Sequence, residues 1–69
     1  MTTPFRYSLK YEDGEPIDGK VYRSLGSFYR ASVGAAETHA RHISDKNNNE
    51  TVWIAPVGGD MNWWWVRAR

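Results

Sequence analysis

The sequence predicts a small α+β domain: a single antiparallel sheet with one helix packed on one face, in the order β-β-α-β-β, with β-α-β-β as the fallback. Three observations predict it. Phe5 to Tyr11 alternates apolar and polar side chains with a period of two. Val33 to Asp45 repeats apolar side chains at helical spacing. Thr51 to Val57 and Asn62 to Arg69 flank Gly58-Gly59-Asp60, which is hairpin-turn chemistry. At 69 residues, positions 1–69 are read as one domain, near the size where one core leaves only a few kcal/mol of net stability.

The first strand places Phe5, Tyr7, Leu9 and Tyr11 on one face and Arg6, Ser8 and Lys10 on the other. Glu12 to Gly19 reads as a loop, with Asp13-Gly14, Pro16 and Asp18-Gly19 as turn residues. Lys20 to Ala31 is ambiguous. Val21, Tyr22, Phe28 and Tyr29 suit a strand, Leu25, Tyr29 and Ser32 a helical stripe, and Gly26 weakens both. An irregular second strand pairing back onto the first is the favoured reading, with Ser32 as the helix N-cap. Val33, Ala36, Ala40 and Ile43 then form the buried stripe, while Thr38, Arg41, His42 and Asp45 face outward. Asn47-Asn48-Asn49 ends the helix.

A two-residue turn in the closing hairpin groups Val52, Ile54 and Pro56 with Met61, Trp63, Trp65, Arg67 and Arg69. Thr51, Trp53, Ala55 and Val57 then go with Asn62, Trp64, Val66 and Ala68. A three-residue turn swaps the pairing. One helix covers one face, so the other is left with either Trp63 and Trp65 or Trp53 and Trp64. Because Arg67 and Arg69 are costly to bury, Trp63 and Trp65 are expected on the open face.

Composition narrows the function. Hydrophobic residues are 41% and charged residues 25% of the chain, which suits a folded domain. With no cysteine there is neither a disulfide nor a thiolate metal site, and stability rests on the aromatics or on self-association. The net charge of +1 gives no global field for nucleic acid, so a nucleic-acid role needs a local patch. The N-terminus lacks a basic region followed by an apolar one, and no stretch approaches the ~20 apolar residues of a membrane span, so a cytoplasmic protein is expected. Asn49-Glu50-Thr51 is a glycosylation sequon only in a secreted chain.

No nucleophile elbow, phosphate-cradling glycine loop or His-carboxylate-nucleophile set is evident, and the expectation is that the protein is not an enzyme and uses no cofactor. His39 and His42, followed by Asp45 and with Glu37 nearby, are spaced for one metal but short of ligands, so they are read as exposed helix histidines. Glu12, Asp13, Glu15 and Asp18 lack the positions of a calcium loop and are read as a solvated acidic loop able to steer a basic partner.

The distinctive feature is the aromatic-basic run ending the chain. Trp63, Trp65, Arg67 and Arg69, with Ile54 on the same face, are the candidate partner-binding residues. Trp and Arg dominate protein–protein hot spots. The leading expectation is therefore a non-catalytic module docking on a larger protein, of the small accessory or inhibitory kind found in phages and mobile elements. The first alternative is a single-stranded nucleic-acid binder, its tryptophans stacking on bases while Arg67, Arg69 and Arg6 or Lys10 meet phosphate. The second is a homo-oligomer that buries the same face between copies.

Overall fold

A computed structural model describes residues 3–14, 16–58 and 62–69. The chain runs β1 (Thr3–Tyr11), β2 (Pro16–Gly26), α1 (Tyr29–Lys46), β3 (Val52–Pro56) and β4 (Trp64–Val66). The strands form one antiparallel sheet in the order β2-β1-β3-β4, with α1 across one face, so the ββαββ expectation is met. No described helix is long and apolar enough to cross a membrane.

The alternation in β1 settles the layers. Phe5, Tyr7 and Leu9 point toward the helix and are buried, and their cross-strand partners Ser24, Tyr22 and Ile54 lie on the same side. Val52, Ile54 and Val66 complete the sheet's contribution to a core that Ala36 and Ala40 close from the helix, with Val33, Ile43 and Trp64 packed around it. The small alanine side chains let the helix lie close on the sheet. Ser32 and Ser44, also fully buried on that stripe, each carry a hydrogen bond, as burial of a hydroxyl requires. The Ser32 hydroxyl donates to the Thr3 carbonyl. Ser44 Oγ accepts from the Ala68 N–H at 3.0 Å and ties the chain after β4 to the helix.

The helix begins at Tyr29 rather than Val33, and Ser32 is not its cap. The N-cap is Phe28, which makes no side-chain cap bond. Its carbonyl instead accepts from the N–H groups of Ala31 and Ser32. The helix starts early because β2 ends against it. A Cβ on Gly26 would stand 2.7 Å from the Ser32 nitrogen and 2.8 Å from the Ala31 Cβ, so only glycine permits this approach. At the other end Asn48 and Asn49 take left-handed backbone angles (φ 58° and 61°), as expected of the asparagine run.

Two further expectations are corrected. The segment from Glu12 to Gly19 is not one loop: β2 starts at Pro16, paired with Lys10, and absorbs Asp18 and Gly19 at positive φ within an irregular stretch of the ladder. The closing hairpin has the swapped register. Trp53 pairs with Trp65 and Ile54 with Trp64, a parity that demands an odd number of connecting residues rather than the two-residue turn. The expected turn is at Gly58-Gly59 or Gly59-Asp60, and of these Gly59 and Asp60, with Met61 of the expected open face, lie outside the described residues.

Candidate functional site

The face of the sheet turned away from α1 has no secondary-structure element over it among the described residues. The register builds it row by row. Pro4 stands opposite Leu25, Arg6 opposite Arg23, and Ser8 between Val21 and Ala55. Lys10, Trp53 and Trp65 form one continuous row across β1, β3 and β4. Trp63 and Arg67, just outside β4, join the row's far end. The Lys10 ammonium lies 4.2 Å from the centre of the Trp63 ring, and the Arg67 guanidinium 5.6 Å from that of Trp65. Arg67 Nε also donates to Thr51 Oγ1 at 2.6 Å, which fixes the guanidinium beside the indole.

Among the described residues, the strand positions of this face carry Arg6, Arg23 and Lys10 and no carboxylate. Trp63 and Trp65 are 43% and 54% exposed, and Arg6, Arg23 and Arg67 are exposed as well. Arg6 and Arg23 are directly opposed like charges on neighbouring strands, an arrangement that costs stability. Chemically the face offers flat π-surfaces and fixed positive charge. It is a surface for stacking and for anions.

The structure unites only part of the sequence-predicted set. Trp63, Trp65 and Arg67 come together on the open face, as expected. Ile54 does not: it is fully buried opposite Leu9 and Trp64, because the observed register of β3 and β4 turns it into the core. Arg69 is held elsewhere, its backbone N–H donating to Asn49 Oδ1 at 2.8 Å and its carbonyl accepting from Asn49 Nδ2 at 3.2 Å, at the turn that follows the helix. Trp64 faces the helix and donates from Nε1 to Glu37 Oε2 at 3.0 Å. Trp53, Lys10 and Arg23 belong to the face in its place. Arg23 had no signal in the sequence, because the irregular second strand expected there came without a register.

The acidic set is likewise divided. Glu12 and Asp13 occupy the turn after β1, which the Gly14 N–H closes onto the Tyr11 carbonyl at 2.9 Å. Asp18 lies within β2, where its carboxylate accepts from the Tyr22 hydroxyl and the Lys20 N–H. Glu15 is outside the described residues. His39 is not an exposed helix histidine: its Nδ1 is 2.8 Å from the Tyr7 hydroxyl and its ring packs edge-on against Tyr22. Among the described residues no group of three or more His, Cys, Asp or Glu is gathered closely enough for a metal.

Two hollows open beside these groups. One, of about 220 Å³, is lined by Lys10, Tyr11, Glu12, Gly14, Trp53 and Trp63. The other, of about 320 Å³, lies at the Arg6 end beside Phe5, Tyr29 and Val57. No known family model, curated protein or solved structure matches the chain. Fold and face together define a small α+β domain with an open aromatic-cationic sheet surface.

Proposed function

We propose that the open sheet face binds single-stranded nucleic acid. The observation that supports this reading is the excess of positive charge: three indoles share a face with four cations, against the one carboxylate residue, Glu12, that lines the hollow at its edge. Single-strand binders combine aromatic platforms, on which bases stack, with cations that follow the phosphates. The row of Lys10, Trp53 and Trp65 supplies the platform. Arg6, Arg23 and Arg67 supply charge on either side of it. Lys10 lies four residue steps along β1 from Arg6, about 13 Å, which about four stacked nucleotides cover.

Charge is also what favours this reading over a docking site for a larger protein. Tryptophan and arginine serve a protein hot spot equally well, but a predominantly cationic face favours an anionic ligand, and the opposed Arg6 and Arg23 gain most from an anion placed between them.

The test is fluorescence anisotropy of an end-labelled mixed-sequence single strand with the whole chain, repeated across a salt series. Binding that weakens with a log–log salt slope of about −2, for three phosphates neutralised, is the expected result. Absence of binding at low salt overturns the reading and returns the face to a protein partner.

A further inference from the structure

We infer that the hollow between Trp53 and Trp63 is a base-reading pocket selective for guanine within a bound single strand; the inference rests on the nucleic-acid reading of the same face. The hollow measures about 220 Å³, below the ~300–1,000 Å³ of pockets for drug-sized ligands. It suits one flat heterocycle. Its lining is unlike the rest of the face. Trp53 and Tyr11 give aromatic walls, Trp63 carries the Lys10 ammonium over its ring, Gly14 gives a wall with no side chain, and Glu12 is the acidic residue of the lining.

Glu12 and Lys10 set the selectivity. A carboxylate only accepts hydrogen bonds and an ammonium only donates them. Guanine matches both, because the edge it uses for base pairing presents two adjacent donors, N1–H and the N2 amino group, next to the O6 acceptor. The two donors meet the Glu12 carboxylate and O6 meets the Lys10 ammonium. Adenine turns an acceptor nitrogen toward the carboxylate. Uracil flanks its single donor with two carbonyl oxygens. Recognition on this edge requires an unpaired base, which is the form a single strand presents.

A cationic ligand in the same aromatic pocket fits less well. Lys10 already holds its own ammonium over Trp63, and Arg6, Arg23 and Arg67 share the face. The pocket therefore suits a neutral base carried on an anionic backbone.

The experiment compares three labelled strands of equal length by anisotropy: oligouridylate, and the same strand with one central guanosine or one central adenosine. The wild-type chain is expected to prefer the guanosine strand over both others by about tenfold, the value of one good two-bond base contact. In Glu12→Gln, with its fold checked by circular dichroism, the guanosine-to-adenosine ratio is expected to fall close to one. Taking that ratio within each protein cancels general changes in affinity. Equal binding of guanosine and adenosine strands by the wild type, or a preference that survives Glu12→Gln, overturns the guanine pocket and leaves the nucleic-acid reading standing. Failure to bind any of the three overturns both.

Discussion

Arg6 and Arg23 face one another directly across the β1–β2 ladder, on the side of the sheet with no helix. Like charges so placed repel by a few tenths to about 1 kcal/mol. Arg23→Glu should therefore raise the free energy of unfolding by about 0.5–1 kcal/mol in low-salt urea titrations. The gain should shrink as salt is added. The same substitution should weaken single-strand binding, since it removes one phosphate contact and adds a repulsive one. Stabilisation without any loss of binding would remove Arg23 from the interface.

Trp64 and Trp65 are neighbours with opposite duties. Trp65→Ala removes an exposed stacking surface and should leave the melting curve nearly unchanged, while single-strand affinity falls by the ~1–3 kcal/mol a stacked base contributes. Trp64→Ala removes an indole packed on the core and hydrogen-bonded to Glu37, at a cost of about 2–3 kcal/mol. That is most of what so small a domain holds. Circular dichroism should show Trp64→Ala substantially unfolded and Trp65→Ala folded.

Gly26→Ala places a methyl group inside the van der Waals distance of the Ser32 nitrogen and the Ala31 Cβ. Both belong to the packed first turns of the helix and cannot rotate aside. A loss of about 1–3 kcal/mol is expected, as for other overpacked contacts, measurable as a lower urea midpoint. Gly34→Ala, where a Cβ meets nothing within 4 Å, is the matched control and should be neutral or slightly stabilising.

Alkaline pH should lower the stability of the protein through its tyrosines. The Tyr22 hydroxyl is pushed up to about 12 from its ordinary 10.0, first by loss of solvent and then by the Asp18 carboxylate it donates to. Burial raises Tyr7 as well. The folded state holds these protons more tightly than the unfolded chain does. The stability they contribute is thus fully present below about pH 10 and is lost as the pH climbs toward 12. The urea midpoint should fall across that window, and fall less in Tyr22→Phe.

β1 and the inner stripe of α1 could be read from the sequence because each keeps one period throughout: two from Phe5 to Tyr11, and three-to-four from Val33 to Ile43. β2 could not. Its ladder shifts near Asp18 and Gly19, and Gly26 is present for a tertiary contact with Ser32 that no local pattern reports. The site divided in the same way. Trp63, Trp65 and Arg67 were visible as an alternating run, but the strands facing them depended on whether the hairpin connection is odd or even. The β3–β4 register puts Trp53 on the open face in place of the expected Ile54. Arg23 stayed hidden because its partner Arg6 is set by a register only the folded sheet defines.

The division of the four indoles, with Trp64 against the core beside Glu37 and Trp53, Trp63 and Trp65 on the open face, gives the molecule two separate optical reporters. Emission from the outer three responds to whatever settles on the sheet, whereas emission from Trp64 responds to whether the helix is still docked. Replacing Trp64 with phenylalanine leaves a chain whose intrinsic fluorescence follows occupancy. Replacing the outer three leaves one whose fluorescence follows unfolding. Ligand association and loss of structure can then be timed independently in an unlabelled protein.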